Sequence, residues 1–351
     1  MKHVLRMMLL VSMICLTGVG AMATPIGGLT VAVSPDGESV IVSGVNRAFL
    51  RLNPATLEVE DRVWHGLSVT RMAFSRDGSV LAVTDAGMGG VVTIFDSKTL
   101  KRITDVRDCD PVALATQANL VAGIRGNRSD TATLQVFGMK DGRMTMQVPV
   151  VPKRTVTAIG MDLKGTVAAV LYEGIHDSGE AKATPDAALR GIARIEAVQK
   201  SDGKTAMVEF FAIPSGKKLA SHTLFYSCSG DASAVIRDGR MIVVNYQNQN
   251  AVIGQDGLVA MFECANSFNY GIGFSSDYEF ILTGGLANFS VTGTGDRVSR
   301  EVKVREKLPS WPEYFRGFAA SGSGTCYGST DGFRVFAIDR NASIILEKAI
   351  Y

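Results

Sequence analysis

Residues able to do chemistry are few in this chain and widely spaced. No two of its histidines, His3, His65, His176 and His222, stand at His-x-x-x-His spacing, so no helix places a pair of them on one face as metal ligands. Cys15, Cys109, Cys228, Cys264 and Cys326 include no Cys-x-x-Cys pair, which argues against a zinc knuckle, a redox dithiol and an attached c-type haem. Gly293-Thr294-Gly295-Asp296-Arg297 imitates a phosphate loop, but no Lys-Ser/Thr follows and no helix opens, so a hairpin turn is expected there. Gly322-Ser323-Gly324 lies between two strand-like runs and reads as a turn, not as a nucleophile elbow. Calcium loops of the Asp-x-Asp-x-Asp-Gly type are missing. The expectation is no catalytic residue, no bound cofactor and no metal site on a single element.

Scattered residues act together only if the fold gathers them, and the fold leaves a periodic trace. Turn signals end at Gly37, Gly78, Asn119, Gly165, Gly239, Tyr278 and Gly324, at intervals of 41, 41, 46, 74, 39 and 46 residues. Within a period the runs are strand-like. In the second, Val69–Ser75, Ser79–Asp85, Gly90–Phe95 and Lys101–Val106 are rich in Val, Ile, Phe and Thr, with Gly, Asp and Ser at the breaks. Periods of ~40–45 residues built from four short strands mark propeller blades. The fold class expected is all-β: a seven-bladed β-propeller of four-stranded antiparallel blades, spanning 24–351 as one domain.

Residues 1–23 read as a signal peptide. Lys2, His3 and Arg6 precede an apolar run from Met7 to Leu16, and Ala21-Met22-Ala23 forms a small-x-small cleavage site. A lipoprotein signal needs a small residue before its cysteine, whereas Ile14 precedes Cys15. No later stretch approaches the ~18 apolar residues that span a bilayer, so no membrane span is expected after cleavage. The location expected is periplasmic or secreted. Lys+Arg total 36 against 34 Asp+Glu, and Lys2 and Arg6 leave with the leader, so the mature chain is neutral. Its densest basic groups, Lys98, Lys101 and Arg102 and then Lys217 and Lys218, are too short for a phosphate-binding stripe. Nucleic acid is not an expected partner.

Particular residues carry a family resemblance. His65-Gly66, Phe74-Ser75-Arg76-Asp77-Gly78 and Val91–Asp96 resemble a WD40-type blade, with Phe95-Asp96 where that family places Trp-Asp. Ala32–Gly37, Leu50–Leu57 and Phe211–Leu219 resemble YVTN and quinoprotein amine dehydrogenase-like propellers, often exported bacterial proteins. Such a ring hosts enzymes and pure binding modules alike. After the leader only Trp64 and Trp311 remain, too few for the Trp-rich blades that hold pyrroloquinoline quinone.

One departure from the period is an insertion in blade four, about 174–203. Thr184-Pro185-Asp186 fits a helix start, whereas Ser201-Asp202-Gly203 fits the turn of a hairpin between Ile192–Gln199 and Thr205–Phe211; both readings stand. Leu189, Arg190, Ile192, Arg194, Ile195 and Val198 are the candidate partner-binding residues, an apolar set with adjoining arginines. Cys228 before blade five and Cys264 at its end are a candidate disulfide, and Cys326 a buried thiol. The function expected is non-enzymatic binding of a protein partner or small ligand on the loop face. The alternatives are a lactonase-like hydrolase, which needs a composite site at the axis, or the structural subunit of a dehydrogenase. The leader makes one sharp prediction: the amino terminus of the exported protein reads Thr24-Pro25-Ile26, and Edman sequencing of a periplasmic fraction checks it.

Overall fold

A computed structural model describes residues 29–85, 90–107, 109–176, 193, 197, 204–224, 226, 228, 232–304, 313–322, 324–339 and 341–350. The expected leader lies outside them. The chain forms seven separate sheets, each of four antiparallel strands in sequence order. We number these blades along the chain and letter their strands A to D from the axis outward. Blades one to seven occupy 29–64, 69–106, 112–149, 156–224, 232–262, 271–303 and 315–349.

Burial explains which residues make which strand. Strands B and C lie between neighbouring blades and are apolar on both faces, as in Val40–Gly44, Val80–Asp85 and Val92–Asp96. Strand D rims the ring and is mostly exposed. Val59–Trp64 and Ser299–Lys303 carry charges that discourage edge-to-edge pairing. The core is therefore a set of inter-blade layers.

The recurring turn signal is the A–B hairpin. In blade two the Gly78 amide donates to the Ser75 carbonyl at 2.9 Å, while Ser75 Oγ donates to Asp77 Oδ1 at 2.8 Å. Blade six repeats this through Ser275, Asp277 and Tyr278. The C–D turns share a second form, in which the fifth residue donates back to the first: Leu57 to Asn53, Leu100 to Asp96 and Arg297 to Gly293. Gly293–Arg297 is thus a hairpin turn. A–B and C–D turns occupy one face of the ring, here the lower. B–C loops and the connections between blades occupy the upper.

The insertion leaves the upper face. Strands B (Val167–His176) and C (Lys204–Ala212) of blade four pair as far as His176 with Lys204. Thr205 thus pairs with Ile175, not with the 192–199 segment, and Ala193 and Ala197 are helical, which sets aside the hairpin reading. Leu189, Arg190, Ile192, Arg194, Ile195 and Val198 lie outside the described residues.

Blades seven and one close the ring, and among the described residues they exchange no strand. Leu29, Val31, Val42 and Leu50 share one buried layer with Tyr327, Val335, Ala337 and Ile350. Ser329 Oγ donates to the Leu29 carbonyl at 2.5 Å. At Gly317 the strands approach so closely that a Cβ would stand 2.8 Å from Thr30 Cα and 3.1 Å from the Val31 nitrogen. Gly317→Val must therefore part the closing strands, at a cost of about 1–3 kcal/mol. Gly295→Ala, where a Cβ meets nothing within 4 Å, stays within about 0.5 kcal/mol of the parent. Urea unfolding of both variants checks the contrast.

Candidate functional site

The residues singled out for chemistry do not converge. No group of three or more His, Cys, Asp or Glu able to hold a metal exists among the described residues. His222 lies on strand D of blade four, half-buried at the rim. His65 sits where blade one passes into blade two, its ring 4.0 Å from that of Phe49. The Leu67 amide donates to His65 Nδ1 at 3.0 Å, so the neutral ring carries its proton on Nε2 and donates to Ser43 Oγ at 2.9 Å. This is a structural histidine.

Cys109, Cys228, Cys264 and Cys326 are all buried and unbridged. The expected Cys228–Cys264 disulfide is absent for a geometric reason. Cys228 packs in the layer between blades four and five, with Leu171, Val208 and Met241. Cys264 packs in the layer between blades five and six, with Val244 and Ile281. The sheet of blade five separates them. Burial pushes both thiols up, as suits inert apolar groups.

A different set of residues comes together on the upper face of blades five to seven. Phe268 stacks on Tyr246 with centroids 5.4 Å apart, Tyr246 meets Tyr270 edge-on at 5.2 Å, and Tyr270 lies 4.3 Å from Tyr314. The Arg316 guanidinium ends the run, 5.5 Å from the Tyr270 centroid and 5.3 Å from that of Tyr314. Tyr270 and Tyr314 each immediately precede an A strand, Gly271–Phe274 and Phe315–Ala320, so both stand at the mouth of the axis. Phe268 and Leu286, each 47% exposed, flank the run.

The run is held from beneath. The Tyr314 amide donates to Asp331 Oδ1 at 2.8 Å, and Arg316 Nε and Nη2 donate to Asp331 Oδ2 at 3.3 and 3.2 Å. Burial pushes the Asp331 carboxyl up, against the pull of the Tyr314 amide and of Arg316. Glu313, one residue before Tyr314, accepts from Nε and Nη2 of Arg334, itself 2% exposed. On the blade-five side, buried Asn269 donates to the Asn245 carbonyl at 2.9 Å, and its amide donates to the Tyr246 carbonyl at 2.9 Å. The Tyr270 hydroxyl beside Tyr246 pushes that phenol up.

Across the mouth, Arg71 on strand A of blade two (Val69–Phe74) reaches over the axis. Its Nη1 donates to the Val112 carbonyl of blade three at 3.2 Å and its Nη2 to the Ala232 carbonyl of blade five at 3.5 Å. The upper mouth thus presents two anchored guanidinium groups, a row of phenols and an exposed phenyl ring. Sequence reasoning passed over all of them. Aromatic residues just ahead of the sixth and seventh inner strands were the available signal.

This architecture defines the class: the chain is a seven-bladed β-propeller. Solved structures with this fold are many, 1646 chains matching, so likeness of fold selects no chemistry. One is hydrazine synthase of Kuenenia stuttgartiensis, similar with a TM-score of 0.57 and 12% identity over 92% of this chain and 95% of that one. No family model matches the chain, and no curated protein sequence does.

His65 gives a pH prediction. Burial brings it from 6.5 down to about 4, opposed by the Ala48 backbone and by Asp85. Between those values the unfolded chain takes up a proton that the folded chain refuses, so folding stability falls as pH drops from 6.5 to about 4 and this loss then levels off. His65→Gln removes that part of the slope, and melting temperatures of both proteins from pH 7.5 to 4 check it.

Proposed function

We propose that this chain is an exported binding propeller that does no chemistry and that captures a protein partner on its upper face. The observation that carries the reading is the aromatic run from Phe268 through Tyr246, Tyr270 and Tyr314 to Arg316. Tyr, Phe and Arg are enriched at interface centres, where rigid rings bury much area at small entropic cost. The run is pinned by Asp331 and by the Glu313–Arg334 pair, so little order has to be imposed on binding. The strands that flank the blade-four insertion end on the same face, at His176 and Lys204. Export rests on the leader at 1–23.

The test is quantitative capture from the periplasm of the native host, followed by titration with the purified partner. Phe268→Ala with Tyr270→Ala is expected to weaken that partner at least about tenfold, with melting lowered only slightly. Undiminished affinity in the double variant overturns the reading.

A further inference from the structure

Where blades five and six meet, Asn248, Asn250, Asn266 and Asn269 are buried beside Thr283 and Ser290, each at most 6% exposed. The amide hydrogens of these asparagines have acceptors. Asn250 Nδ2 donates to Asn248 Oδ1 at 3.0 Å, Asn248 Nδ2 to the Cys264 carbonyl at 2.9 Å and Asn266 Nδ2 to Thr283 Oγ1 at 2.8 Å. On strand C of blade six (Asn288–Gly293), Asn288 Nδ2 donates to Glu301 Oε1 at 2.6 Å. The oxygens are served less well. Oδ1 of Asn266, of Asn269 and of Asn288 is buried and receives no donor.

Two of these amides face one spot, because a Cβ at Gly285 would collide with Asn288 Oδ1 and stand 3.4 Å from Asn266 Cγ. Gly285 has no positive φ, so glycine serves there for clearance and not for backbone freedom. At Gly293 the oxygen that a Cβ would meet, Asp296 Oδ1, accepts the Val298 amide; Asn288 Oδ1 has no such donor. Thr283 Oγ1 and Ser290 Oγ, 2.7 Å apart, adjoin the Asn266 amide, and the exposed Glu301 opens the spot to the rim. Nearby charges are mixed: Glu301, Glu263 at the head of the blade five–six connection, and Lys303, which pairs with Asn288 across strands C and D. Arg300 turns away to Asn341 of blade seven. A water here would find oxygens to donate to but few donors for its own lone pairs, whereas a hard cation needs only oxygens.

From this geometry we propose that Asn266, Asn288 and Glu301 hold a calcium ion between the blade five–six connection and blade six. Amide, carboxylate and water oxygens suit calcium and not the softer metals, and one carboxylate opposed by Lys303 sets the dissociation constant near ~1 mM. The ion ties the connection that bears Phe268 and Tyr270 to blade six from beneath. The site is independent of the upper-face reading and stands or falls separately.

Thermal melting of the purified, EDTA-treated chain in CaCl2, MgCl2 and NaCl of matched ionic strength tests it. Calcium at ~10 mM is expected to raise Tm by about 2–3 °C, with saturation around a midpoint of ~1 mM, and magnesium to give less than about half that rise. Glu301→Gln and Asn266→Leu should each weaken calcium at least about tenfold, and Lys303→Gln should tighten it about threefold. Terbium gives a second readout: its emission, excited through tyrosine, should saturate at one site on the wild-type chain and be displaced by calcium. Equal melting in calcium and in the sodium salt overturns the proposal. So does a rise that never saturates or that magnesium matches, the mark of an adventitious ion only. Folded Glu301→Gln and Asn266→Leu variants with an unchanged calcium response overturn it too. If those variants fail to fold, terbium that calcium does not displace from the wild-type chain overturns it.

Discussion

The inter-blade layer is the interaction on which the structure depends. Each blade is apolar on both faces, and a four-stranded sheet with two greasy faces has no soluble form alone. Only a closed ring gives every face a neighbour, so the last contact, between blades seven and one, matters as much as any other. That contact is made by apolar side chains, the Ser329 hydrogen bond to Leu29, the Gly322 amide on the Pro35 carbonyl and the Lys348–Glu58 pair, with no shared strand among the described residues to lock it. Glycine at 317 is what lets the closing strands come near enough.

The same demand for tight layers explains which features were legible in the sequence. Ser-x-Asp-Gly is readable because the serine and aspartate form the turn by local hydrogen bonds, as at Ser75 and Asp77, whatever lies further off. Strands B and C are readable because burial on both sides makes them continuous apolar runs. The face that a cysteine occupies is not local in this sense. Cys228 and Cys264 bracket one blade, and only the twist and register of the sheet assign them to different layers. The aromatic run was hidden for a similar reason. Its members come from 246, 268, 270 and 314, and their adjacency depends on three blades meeting at the mouth.

Blade seven departs from the apolar rule. Arg334 is buried with Glu313, reaches the exposed Glu347 on strand D and lies 5.0 Å from the Phe336 ring centroid. A buried ion pair is weak evidence of stability, since desolvation offsets most of the attraction. Here the pair sets geometry. With Glu313 held, the peptide leading into Tyr314 has one position, and the isolated bridge between Leu286 and Tyr314 fixes it against blade six. Polar order beneath the surface thus underlies the aromatic order upon it.

Arg71 has a mechanical consequence as well as a chemical one. A ring of blades that pivot on their neighbours has one soft mode, flattening into an oval, because opposite blades share no contact. A side chain rooted in blade two and bonded to blades three and five is a spoke across that ring. Ovalisation lengthens one diameter while it shortens the other, and the spoke resists the change along its own line. Distortion is thereby steered toward diameters it does not span.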